Sequence, residues 1–198
     1  TPDYLKIDVE GAELDILHGA AASLRSCSAV KVEVSFLEQR IGQPLMHEVL
    51  AFMLQSGFVL AQIRGMHEWR RRPLPAHPFS AQWPIPYSRG IAAQCDLVFL
   101  RDLEKIDSDS ALQRLVSISS ALGFFDYSAA VLGRFPLLRE QLDCQIGASV
   151  LPVIGKLSRS MGRAVALATI KSHLRNLIPL FRSCLKGIPA SQPIRRGY

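Results

Sequence analysis

The chain has 198 residues, of which 48% are hydrophobic and 20% charged, enough for one ordinary domain with a real core and unlike a disordered polymer. No apolar run reaches the roughly 18 to 20 residues of a membrane span, and the first residues lack the basic-then-apolar pattern of a signal peptide. Cys27, Cys95, Cys144 and Cys184 stand far apart, with no CxxC pair and no histidine cluster, so neither a disulfide framework nor a metal site is signalled and a reducing cytoplasm is the expected setting.

In chain order, Tyr4 to Val9 (YLKIDV) reads as a strand. It is closed by Gly11 and followed by Leu14, Leu17, Ala21 and Leu24 at helical spacing. Ala29 to Phe36 (AVKVEVSF) alternates Val30, Val32, Val34 and Phe36 on one face and reads as a second strand. Right-handed crossover then makes the two strands parallel neighbours, with the helix over one sheet face.

Pro44 opens a second helix, marked by Leu45, Val49, Phe52 and Met53, with Gly57 as its expected C-cap. Phe58 to Ile63 and Cys95 to Leu100 are two more strands. Arg64 to Gln94 between them, rich in Pro, Arg and Trp, reads as a long loop. Its Arg64, Arg70, Arg71, Arg72, His67, His77, Trp69 and Trp83 are a mix suited either to an anionic or sugar-like ligand or to an ordinary basic loop.

Past Arg101 only helices are expected. Leu112, Leu115, Ile118 and Leu122 mark one, and Tyr127, Val131 and Leu132 begin another before Pro136. A long apolar stripe then runs from Leu151 through Met161 and Val165 to Leu174, Leu177 and Leu185, with a kink expected at Pro179. Charge is asymmetric. Cys144 to Tyr198 hold nine Lys/Arg and no Asp/Glu, whereas the preceding residues carry a small acidic excess. Such a tail suits an anionic membrane surface, a partner domain, or docking on the acidic body; few aromatics and no reading motif accompany it, so nucleic acid is not expected.

The most informative stretch is LKIDVEGAELDILHGA, Leu5 to Ala20. Strand alternation puts Leu5, Ile7 and Val9 on one face and Lys6, Asp8 and Glu10 on the other. Asp8 and Glu10 then sit at the strand's carboxyl end, the edge at which open α/β sheets bind ligands. Two carboxylates there can serve chemistry, or can merely cap the helix after Gly11, whose free N–H groups suit a Glu10 or Glu13 carboxylate. Glu33 and Ser35, on the side of their strand opposite the valines, approach the same edge and are candidates for binding substrate or for a structural role. His18 and His47 are expected to be structural.

This stretch resembles the FkbM family of S-adenosylmethionine-dependent methyltransferases, whose most recognisable segment is a strand ending in KIDVEGAE followed by an apolar helix. The similarity continues through KVEVSF at Lys31 to Phe36, SGF at Ser56 to Phe58 and QCDLVFLR at Gln94 to Arg101. A fainter likeness, ALGFFDYSAAVL at Ala121 to Leu132, is similar to the helical extension of many members. The resemblance implies the carboxyl-terminal half of a Rossmann-like methyltransferase sheet, mostly parallel with one antiparallel strand, Cys95 to Leu100, beside Ala29 to Phe36. An α-helical extension follows. It divides the chain into the carboxyl half of the methyltransferase domain at 1–101, the helical extension at 102–143 and the basic helical tail at 144–198.

The resemblance also implies S-adenosyl-L-methionine as cofactor and a hydroxyl of a small molecule or sugar as methyl acceptor. Asp8 and Glu10 would be catalytic, and Glu33 and Ser35 would bind substrate. The family's first strand and glycine-rich turn are expected before Thr1, so the cofactor-binding residues are not assigned within this chain and the segment alone is expected to be inactive. A noncatalytic binding or scaffold module that keeps the fold is the alternative.

Overall fold

The computed structural model describes residues 2–69, 90–106 and 108–186, without side chains at 176 and 178–186. The chain divides into two compact units, Thr1–His67 with Ala93–Arg159, and Glu68–Ala92 with Ser160–Tyr198.

Within the first unit, strand β1 (Tyr4–Ile7) leads into helices α1 (Glu13–Gly19) and α2 (Ala21–Leu24), then β2 (Ala29–Ser35) and α3 (Met46–Gln55). The single helix expected after Gly11 is therefore two short ones, parted at Ala20. β1 and β2 are parallel, with Tyr4 opposite Ala29 and Ile7 opposite Val32. β3 (Phe58–Trp69) and β4 (Ile91–Arg101) complete a four-stranded sheet in the order β1-β2-β4-β3.

β4 runs antiparallel to β2, pairing Ala29 with Leu100, Val32 with Leu97 and Ser35 with Gln94, so the reversed strand lies where the resemblance implied. β3 is antiparallel to β4 in turn, since Asp102 N donates to Gly57 O at 3.0 Å while Gly65 lies near Asp96. Three of the four strands thus point one way, giving a mixed α/β sheet. The expected loop from Arg64 to Gln94 is shorter than its composition suggested. Arg64, His67 and Trp69 belong to β3 and residues 91 to 94 to β4. The proposals for Arg70, Arg71, Arg72, His77 and Trp83 lie outside the described residues.

One sheet face makes the core. Ile7, Val30, Val32, Val34, Cys95, Leu97 and Phe99 pack against Leu17, Leu24, Val49 and Met53 of the three helices, all nearly inaccessible to water. Strand alternation places Lys6, Lys31, Glu33 and Asp96 on the opposite face. Gly57 ends α3 with φ +81°, and a Cβ there would meet Arg101 Nη1 at 3.2 Å, so both backbone conformation and space ask for glycine.

Arg101 closes this end of the molecule. Only 8% exposed, it donates to Cys27 O at 3.2 Å, Ser56 O at 2.8 Å and Leu24 O, and its guanidinium lies 3.9 Å over the Phe58 ring. The final carbonyls of α2 and α3 are thereby satisfied by a cation, which also complements the helix dipoles.

A second cluster unites α4 (Asp109–Ala121), α5 (Phe125–Arg134), α6 (Pro136–Ile146) and the start of α7 (Val150–Lys186) around Leu112, Leu115, Val131, Leu132, Leu142 and Ile154. Tyr127 Oη donates to Arg101 O at 2.9 Å and ties this helical layer to the end of β4. α7 continues through Pro179 to Lys186. Among the described residues no helix is long and apolar enough to cross a membrane.

Candidate functional site

The site grows from the β1–α1 turn. Alternation ends at Ile7: Val9 is 39% exposed and does not join Leu5 and Ile7 on the core face as expected. The reason is the tight reversal that follows, with Glu10 at φ +60° and Gly11 at +119°. Glu10 is the one described non-glycine residue in the left-handed region, a conformation that needs support from its surroundings.

That support comes from Glu13, the first residue of α1. Its carboxylate, 4% exposed, accepts Gly11 N at 3.0 and 3.1 Å and Val9 N at 3.3 Å. Glu13 therefore fastens the turn ahead of α1 and makes no cap to the helix's own N–H groups, and its charge lies at the positive end of the helix. Asp8 and Glu10 accept no backbone hydrogen bond among those described. They are left facing solvent, with Lys6 Nζ 3.0 Å from Asp8 and Arg40 Nη2 2.9 Å from Glu10.

Glu33, one strand over, joins them: oxygens of Asp8, Glu10 and Glu33 lie within 4.8 Å of one another. Three carboxylates this close repel, and partial burial adds to the effect. Burial first, then the charges of Asp8, Glu10, Asp96 and Glu13, pushes the Glu33 carboxyl above the usual range, so it holds a proton more readily than an isolated glutamate. Asp96 is the residue paired with Glu33 across the β2–β4 ladder, and Lys31 Nζ lies 2.7 Å from it. Lys6, Asp8, Lys31, Glu33 and Asp96 thus form a lattice of alternating charge over three strands. Three oxygens at this spacing could share a divalent cation, but Asp8 and Glu10 already have cationic partners in Lys6 and Arg40.

Ser35 is not in this group. It is 3% exposed, and its Oγ accepts Gln43 Nε2 at 3.0 Å and Gln39 Nε2 at 3.2 Å. It anchors the loop between β2 and α3, which carries Arg40. His18 packs edge-on against Phe52, with ring centroids 4.6 Å apart, in keeping with a structural role.

The sequence reading did not single out Lys6, Arg40 or Asp96 for the site. Asp96 becomes visible only once the β2–β4 register is known, and Arg40 lies in a segment without periodicity. Lys6 had been placed on the correct face.

Residues 1–60 match the family model of the methyltransferase FkbM domain. No curated protein and no solved structure matches the chain.

Proposed function

We propose, from a chain whose first 60 residues match the FkbM methyltransferase domain, that this edge of the sheet is the acceptor side of an S-adenosylmethionine-dependent O-methyltransferase acting on a hydroxyl of a small molecule or sugar. The observation that carries the reading is the division of labour among carboxylates. Glu13 holds the turn ahead of α1, while Asp8, Glu10 and Glu33, which accept no backbone hydrogen bond among those described, converge near the carboxyl ends of two parallel strands.

S-adenosylmethionine supplies an electrophilic methyl group on a cationic sulfonium, and a carboxylate cluster suits both that charge and an acceptor hydroxyl. The fit is confined to this end of the cofactor. No strand of the described residues is followed by a GxG turn that would approach its nucleoside. The residues that hold the nucleoside are therefore not assigned.

Asp8 and Glu10 orient the acceptor hydroxyl and accept its proton as its oxygen becomes nucleophilic. Glu33, with its raised carboxyl, hydrogen-bonds a second hydroxyl of the substrate, and Lys6 and Arg40 hold the two outer carboxylates in place. Ser35 contributes through the loop it anchors. Transfer of this kind rests chiefly on proximity and alignment, which a cleft built on strand ends supplies. Residues 1–101 form the methyltransferase part in this reading, 102–143 a helical extension and 144–198 a basic tail.

A noncatalytic binding or scaffold module that keeps the fold is the rival reading. Incubation of the protein at its natural length with methyl-labelled S-adenosylmethionine and a panel of sugars and phenols separates the two. Label transferred to an acceptor oxygen, and lost in Glu10→Gln, supports the enzyme. Cofactor binding without transfer to any acceptor, or transfer to nitrogen or carbon, contradicts the proposal.

A further inference from the structure

The later half of α7 presents an aliphatic stripe. Leu167, Ile170, Leu174 and Leu177 recur at alternating three- and four-residue spacing, which puts them on one face of the helix. They are 67, 56, 58 and 42% exposed. Four large aliphatic side chains in a row at such exposure mark an interaction surface rather than ordinary scatter.

Lys171 follows Leu167 by one turn and borders the stripe, and Arg175 follows Lys171 by one turn and extends that border. The polar groups nearby are already satisfied by the helix itself: Thr169 Oγ1 donates to Val165 O at 2.9 Å, and the His173 ring lies 2.8 Å from Thr169 O. What the face offers is therefore aliphatic surface and positive charge.

Such a face lacks negative charge. Cys144 to Tyr198 contain nine Lys/Arg and no Asp/Glu, so a second copy of this segment brings only like charge to the contact. An anionic lipid surface supplies the missing negative charge, demands no fixed shape, and accepts leucine and isoleucine below its headgroups while lysine and arginine reach back to the phosphates. Among the described residues no helix is long and apolar enough to span, so α7 would lie in the plane of the interface.

We propose that the Leu167–Leu177 face of α7 docks the protein on anionic membrane. The inference is independent of methyl transfer, since its readout is vesicle binding alone. The test is flotation of the whole chain with vesicles of phosphatidylcholine, with and without phosphatidylglycerol. Wild type should float with the anionic vesicles and not with the neutral ones, and added salt should release it.

Lys171→Gln with Arg175→Gln should weaken anionic binding by about 25-fold, about fivefold for each cation. Ile170→Gln with Leu174→Gln should abolish it while leaving the melting temperature unchanged, because both side chains are exposed. Equal binding to both kinds of vesicle, or none to either, overturns the proposal. So does self-association in sedimentation equilibrium that the Ile170→Gln, Leu174→Gln variant breaks, because it puts a second copy on the stripe.

Discussion

Replacing Glu13 should do more damage than its position outside the carboxylate cluster suggests. Its buried carboxylate receives Gly11 N and Val9 N, and so holds the turn in which Glu10 sits at φ +60°. Glu13→Ala removes those charge-assisted hydrogen bonds, worth about 1.5 to 3 kcal/mol together. It also removes one buried methylene at about 0.8 kcal/mol, for a loss of about 2 to 4 kcal/mol. In a chain of this size that lowers the melting temperature by roughly 10 °C. Glu13→Gln keeps the side chain's length and one oxygen acceptor, and should cost about a third as much. Differential scanning fluorimetry reads both, and methyl transfer should fall in Glu13→Ala as Asp8 and Glu10 lose their aim. A melting temperature within about 2 °C of wild type for Glu13→Ala would refute the turn-holding role.

Glu33, whose carboxyl burial and neighbouring charges push up, binds its proton more tightly folded than unfolded, so its ionisation costs stability as pH rises through the carboxylate range. Glu33→Gln should accordingly raise the melting temperature at neutral pH and bring no gain below about pH 4, and a gain only in acid would reverse the assigned sign. Burial pushes the Cys95 thiol up to about 11 and the Cys27 thiol up as well, whereas Cys144 is exposed. Peptide mapping after alkylation at neutral pH should find Cys144 modified rapidly and Cys27 and Cys95 only on unfolding. Arg101→Leu orphans carbonyls at the ends of α2 and α3 and should cost about 3 kcal/mol or more, with Arg101→Lys recovering only part; chemical denaturation measures both.

The sheet was legible where periodicity and burial coincide. Val30, Val32 and Val34 alternate because one face of β2 is core, and the βαβ reading of β1 and β2 follows from that alone. The antiparallel placement of β4 came from resemblance, because no local pattern distinguishes a reversed strand. Strand lengths were less legible. β1 stops at Ile7 because a carboxylate six residues later captures its turn, and β3 runs on through exposed residues whose pattern carries no burial signal. At the site, Asp8, Glu10 and Glu33 were placed at one edge by alternation and do meet there. Ser35 was placed by the same rule yet is buried, because Gln39 and Gln43 fold back over it. The stripe of α7 was legible as apolar spacing, but not that Leu167 to Leu177 would be left uncovered.

The central claim is that Asp8 serves chemistry at this edge and not the stability of the turn. Asp8→Asn in the protein at its natural length keeps the side chain's size and removes its charge, and its exposed pair with Lys6 contributes little to folding. Methyl-transfer turnover should fall by about 10²-fold or more, with the melting temperature within about 2 °C of wild type. Turnover near wild type, or a loss of activity matched by a loss of folding, would contradict the assignment.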